Sequence, residues 1–247
     1  MSDFNRGFAG GAVQADMSVD AGLRSYMLGV YNKVALGLVL SAVLAYVTGN
    51  VMAVRELLFS VDSVGRSSYT LLGMVLAFAP LGVLLFQGFA RRQSPQSAAF
   101  TYWAVVSLIG ASLGVVFIRY SGVAIFQTFL ITACAFAGLS LVGYTTKRDL
   151  SGMGNFLIMG LIGLILASVL SMFLQSPMMT FIINLAGVGI FAGFIAYDTQ
   201  NMKATYYHLG GEQTALSVAT SYAALNLYLD FINLFRFLLY FVGGGRR

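Results

Sequence analysis

Seven apolar stretches punctuate this chain of 247 residues, at about 28–49, 68–89, 98–118, 121–144, 153–174, 178–202 and 217–242. Each is close to the roughly 20 residues with which an α-helix crosses about 30 Å of hydrocarbon. A backbone crossing lipid must satisfy its own hydrogen bonds, and at this length the helix is the structure that does so. Charged residues make up 9% of the chain, far below the roughly 25% with which a soluble domain coats itself. The expected fold is therefore an all-α integral membrane protein, a seven-transmembrane-helix bundle. Residues 1–27, Gly-rich and mixed in charge, are expected to form a flexible cytoplasmic N-terminal tail, and 28–247 the transmembrane domain.

The breaks have local causes. Arg55, Glu56, Asp62 and Arg66 follow the first stretch, Arg91-Arg92-Gln93-Ser94-Pro95 the second, Lys147-Arg148-Asp149 the fourth and Ser176-Pro177 the fifth. The connections after the third and fifth stretches are so short that those neighbours must be antiparallel. Gly110 with Gly114, and Gly189 with Gly193, have the small-xxx-small spacing that lets helix backbones approach. With seven crossings, one side collects Arg6, Arg24, Lys33, Arg91, Arg92, Lys147, Arg148 and Lys203, and the other Arg55, Arg66 and Arg119. The excess places the N-terminus in the cytoplasm, with Arg246 and Arg247 dissenting at the far end.

Scarce residue types exclude whole classes of chemistry. A single cysteine, Cys134, and a single histidine, His208, rule out an intrachain disulfide, a thiolate metal cluster and a His-rich zinc site. No resident cofactor is expected. The net charge of +5 is spread in pairs over the loops, which suits anionic lipid and not nucleic acid.

Two acids lie where hydrocarbon is expected, Asp198 in FAGFIAYDTQNMK and Asp230 in ALNLYLDFINLF. An ionised group there costs about 2.5–3.5 kcal/mol on insertion scales and calls for a functional reason. At about 1.5 Å per residue, Asp198 sits about 7 Å and Asp230 about 12 Å above the inner boundary, so a facing pair is within reach of a modest tilt. Such a pair should titrate as a coupled unit. Tyr222, Asn226, Asp230 and Asn233 share one face of the last helix, and Asn184, Gly187, Phe194 and Asp198 one face of the sixth. Asn184, Asn226 and Asn233 are thus the polar groups expected to line any pathway. Arg91 and Arg92, at the inner end of the second helix, could pair with Asp198 or simply face lipid headgroups. Arg236 is expected to snorkel to the outer surface and His208 to lie in a solvated loop.

These residues also carry a likeness. AYDTQNMK, LYLDFINLF, GYTTKRDLSGMGNF and VYNKVALGL together resemble the Bax inhibitor family, also called the transmembrane Bax inhibitor motif family, from about residue 24 to the C-terminus. The resemblance implies a seven-helix fold with the last helix surrounded by the other six, and a pH-sensitive calcium leak. It implies that Asp198 and Asp230 form a paired pH sensor and that Arg91, with Arg92 adjacent, latches onto Asp198. The chain lacks the lysine-rich tail of eukaryotic members and looks like a bacterial plasma-membrane protein.

Three function classes meet these features. A proton-gated calcium path fits two carboxylates and three amides, which offer too few fixed oxygens for tight storage but enough for a weak, transient metal site; its partners are the bilayer, calcium ions and protons. Release of an arginine latch predicts opening on mild acidification. An intramembrane aspartyl protease would use the same two acids, but the second lies in Tyr228-Leu229-Asp230 and not in a Gly-x-Gly-Asp setting, and no late Pro-Ala-Leu motif exists, so no enzyme is expected. A non-catalytic regulator that binds another membrane protein is the remaining alternative.

Overall fold

The first apolar stretch is the C-terminal part of a long helix, α1 (Phe4–Asn50), in the computed structural model, which describes residues 4–61, 67–88 and 94–244, with side chains from residue 21 onward. Its membrane-crossing part is Ala21–Asn50. Packing starts earlier than the sequence boundary at 28, because Leu23, Tyr26, Met27, Val30 and Val34 are all buried. Their three- and four-residue spacing makes one helical face, masked in the sequence by the exposed Arg24 and Ser25 between them.

After α1 come a short helix, α2 (Met52–Leu58), and two strands, β1 (Phe59–Val61) and β2 (Ser67–Tyr69). The strands pair antiparallel with Phe59 opposite Tyr69. Arg119 ties this hairpin to the bundle, donating to the Ser67 hydroxyl and carbonyl at 2.8 and 2.7 Å. The remaining helices are α3 (Leu71–Gly88), α4 (Pro95–Ser112), α5 (Gly114–Arg119), α6 (Gly122–Thr145), α7 (Ser151–Leu174), α8 (Pro177–Leu209) and α9 (Gln213–Gly243). Serines start several of them: Ser94, Ser121 and Ser176 each accept from a backbone N–H in the first turn, satisfying a donor the helix cannot.

Among the described residues six helices are long and apolar enough to cross a membrane: α1, α4 continued by α5, α6, α7, α8 and α9. α3, the seventh expected crossing, is apolar but shorter and carries Pro80 in its interior. The protein is thus an all-α, multi-pass integral membrane protein. Leu36, Phe86, Phe100, Phe156 and Phe173 stand exposed around it, as contact with lipid tails requires. His208, expected in a loop, lies in the last turn of α8, which runs seven residues beyond its expected end at 202.

The third apolar stretch is not the continuous helix that its sequence suggests. α4 ends at Ser112, and α5 restarts at Gly114 after Leu113. The Thr48 hydroxyl of α1 donates to the Ala111 carbonyl at 2.9 Å, occupying an acceptor that the next helical turn would use, a recognised cause of a helix break. Such closeness needs the glycines. A Cβ on Gly110 would lie 2.6 Å from Ser41 Cα, and one on Gly114 would collide with Thr48 Oγ1.

α9 forms the centre, packed chiefly against α8, α1, α6 and α4. α3 lies outside on α4, and α7 outside on α8, so four helices rather than six supply most of its surroundings. Ser94 and Ser121 lie at opposite ends of the α4–α5 crossing, the first capping α4 and the second α6. Cysteines placed there are expected to label from opposite sides of the membrane, Ser94→Cys from the cytoplasm. Labelling of both from one side would overturn the topology.

Candidate functional site

α8 and α9 are joined by a turn at Gly210 and Gly211, whose φ values of 58° and 88° lie in the left-handed region that glycine enters without a Cβ penalty. The two helices fold back on each other and form the most extensive helix pair in the molecule. This brings Asp198 of α8 against Asp230 of α9, their carboxyl groups within hydrogen-bonding reach. Asp230 is buried at 6% exposure, and its Oδ2 meets no donor among the described residues. Two carboxylates have no hydrogen between them, so this contact becomes a hydrogen bond only when one of them holds a proton. Neither acid is paired with a lysine or arginine among the described residues. Arg91 and Arg92, the expected latch, lie outside the described residues.

The expected polar stripe is present but divided. On the side where α8 ends, Asp198 and Asn226 line a cavity of about 170 Å³, together with Tyr26, Asn201, Thr205 and Tyr222. On the side of the β-hairpin, Asn184 of α8 and Asn233 of α9 line a larger cavity of about 780 Å³ together with residues of α3, α4 and α5. Asn226 and Asn233 lie about two turns apart on α9, with Asp230 between them, and Asp230 lines neither cavity. Asn184 and Asn233 each donate Nδ2 to the carbonyl four residues back, at 2.7 and 2.9 Å, which leaves the amide oxygens to serve as acceptors. Gly187, expected on the polar stripe, is instead filled by the Phe237 ring at 2.7 Å. Arg236, expected at the outer surface, is exposed and lines the larger cavity with Arg119.

The structure also places polar groups that sequence reasoning missed. Lys33, counted above as a loop charge, lies well inside α1. Its ammonium donates to Ser221 Oγ at 2.8 Å and stands 5.6 Å from the centre of the Tyr102 ring. The Tyr102 hydroxyl donates back to the Lys33 carbonyl at 2.5 Å. Deeper in, Ser41 Oγ and Tyr228 Oη share a hydrogen bond of 2.7 Å, and Ser41 also donates to the Val106 carbonyl. A lysine in an apolar helix without a nearby acid was the available signal. Its partners are hydroxyls from distant helices, which no local pattern reveals.

Asp149, in the loop before α7, accepts from the Ser151 hydroxyl at 2.6 Å and the Ser151 N–H at 2.9 Å. These hydrogen bonds, the side-chain one foremost, hold its carboxyl below the usual range. A lowered carboxylate contributes its stability above its ordinary range and loses it as pH falls through the lowered value. Mild acidification therefore leaves this contact intact, and Asp149→Asn is expected to destabilise the protein no more at about pH 6 than at about pH 8, as thermal unfolding in detergent would read.

Comparison with known proteins gives a consistent family. Residues 23–247 match the Bax1-I family, described as inhibitor of apoptosis-promoting Bax1. The chain is 59% identical to a protein of Caulobacter vibrioides over 249 residues, covering 100% of both. It is 43% identical to a Rickettsia prowazekii protein over 92% of each. It is 39% identical to the inner membrane protein YbhL of Escherichia coli, over 92% of this chain and 94% of that one. Neither the family description nor the name of the E. coli protein designates an enzyme. With the family match running from the buried Leu23 in α1 to the C-terminus, this chain belongs to the Bax inhibitor family.

Proposed function

We propose that this protein is a slow, proton-sensitive calcium leak of the bacterial inner membrane, its N-terminus cytoplasmic, with Asp198 and Asp230 as both proton sensor and transient cation site. The observation that carries the reading is the contact of two carboxyl groups inside the bundle, with Asp198 lining one cavity and a second cavity further along α9 lined by Asn233. Calcium takes six to eight oxygens when held tightly. Two carboxyls, with Asn226 on the same cavity as Asp198 and Asn184 and Asn233 on the other, form a weaker site that an ion can leave, as conduction demands. A proton on the pair removes charge from that site and changes the contact between α8 and α9. Arg91 or Arg92 as a latch on Asp198 belongs to the same proposal, with release on protonation favouring opening.

The test is calcium entry into liposomes that contain the purified protein and a calcium-sensitive dye. Entry above that of empty liposomes is expected, faster at about pH 6 than at about pH 8. No flux above empty liposomes anywhere in that range would sink the leak and leave a non-catalytic regulator of another membrane protein as the better reading.

A further inference from the structure

α1 and α6 both pack on α9 but barely touch each other, and between them runs a slot of about 690 Å³. It is graded along its length. Arg24 and Tyr144 lie at the end nearest the membrane surface, Ser140 about one turn deeper, and Met27, Tyr31 and Phe136 line the apolar interior. Phe136 closes the bottom edge-on against Tyr31 and against Phe231 of α9, with ring centres 6.3 and 5.5 Å apart.

Two polar groups in the slot lack partners. Ser140 is 6% exposed, yet its hydroxyl makes no hydrogen bond among the described residues. The contrast lies within the same helix, where Thr128, Thr132 and Thr145 each donate to the carbonyl four residues back. A buried hydroxyl left unpaired is costly, and the residue that carries it lines the slot. Arg24 is exposed and forms no hydrogen bond or ion pair among the described residues. A second cation flanks the mouth, since the Lys203 ammonium stands 5.2 Å from the centre of the Tyr144 ring.

We propose that the α1–α6 slot binds one anionic glycerophospholipid from the leaflet on this face. Its phosphate pairs with the Arg24 guanidinium, an ester carbonyl accepts from Ser140 Oγ, and one acyl chain lies along Met27, Tyr31 and Phe136. Two apolar residues of its rim, Leu28 and Leu141, are exposed, as on a lipid-facing opening to which the bilayer supplies such molecules. An ester carbonyl lies just below the phosphate of a glycerolipid, as Ser140 lies below Arg24, and the two cations at the mouth favour a negative headgroup. Nothing in this assignment uses the Asp198–Asp230 pair, so it stands or falls separately from the leak.

Native mass spectrometry of the full chain, released from nanodiscs of mixed phosphatidylglycerol and phosphatidylcholine, tests it. Wild type is expected to retain one phosphatidylglycerol in preference to phosphatidylcholine. Arg24→Gln should lower that preference about fivefold, the effect of one basic residue near an anionic surface. Ser140→Ala should weaken retention of both lipids, which share the ester. Ala137→Trp, which fills the slot from an exposed position without altering charge, should abolish retention. Equal retention of the two lipids by wild type would overturn the proposal. So would an equal loss from Arg148→Gln, which removes a charge on the same face but outside the slot.

Discussion

Replacing Asp230 by asparagine is expected to flatten the pH response of calcium entry while leaving the fold intact. Asparagine has the shape of the protonated acid, and its amide can donate to the Asp198 carboxyl that already lies beside it, so the α8–α9 contact survives. It cannot gain or lose a proton between neutral and mildly acid pH. In wild type the coupling between proton occupancy and conduction should change the rate about fivefold between about pH 6 and pH 8, the lower end of ordinary coupling between sites. In Asp230→Asn the ratio should fall below about twofold, and Asp198→Asn should blunt it as well. His208 is the chain's single histidine. It is exposed in the last turn of α8, and His208→Gln should preserve the wild-type ratio. An Asp230→Asn variant with an undiminished ratio would remove the pair from the sensing role.

A larger effect on stability is expected from Gly110→Leu. Even the first atom of the new side chain would stand 2.6 Å from Ser41 Cα, which is backbone and cannot swing aside. α4 would have to move off α1. That movement would pull Val106 O of α4 away from the Ser41 hydroxyl. Overpacking a tight contact costs about 1–3 kcal/mol, and the lost buried hydrogen bond about 1 kcal/mol. Thermal unfolding in detergent should therefore show a loss of about 2–4 kcal/mol for Gly110→Leu. Gly189→Leu, where a Cβ would meet nothing within 4 Å, should stay within about 0.5 kcal/mol. Equal losses at the two glycines would mean that backbone freedom, not contact, governs both.

Those glycines show how far the sequence could be read. Gly110/Gly114 and Gly189/Gly193 have the same spacing, and the spacing marks places where helices can approach. It does not say which partner arrives. Both members of the first pair meet α1, while in the second only Gly193 is filled, by Leu157 at 2.6 Å. Asp198 and Asp230 were legible as a pair because depth along two antiparallel helices follows from residue counting. The division of the asparagines between two cavities was not, because helical periodicity assigns a residue to a face without showing whether that face is open along its whole length. The β1–β2 hairpin escaped notice for a simpler reason: Phe59–Val61 and Ser67–Tyr69 are too short for alternation to register. Lys33 was misread because a loop-charge count treats every lysine as flanking, and only the tertiary contacts to Ser221 and Tyr102 show it inside.

The turn at Gly210 and Gly211 bears on how the chain enters the membrane. Asp198 leaves the ribosome before Asp230, and an unpartnered acid disfavours the insertion of its helix by about 2.5–3.5 kcal/mol. Because the turn is so short, α8 and α9 can insert together as a helical hairpin that already contains both acids, each offering the other a hydrogen-bonding partner out of lipid. A chain stopped at Gly211 has no such escape. Its α8 should insert less completely than the same helix followed by α9, and Asp198→Leu should restore insertion of the truncated chain.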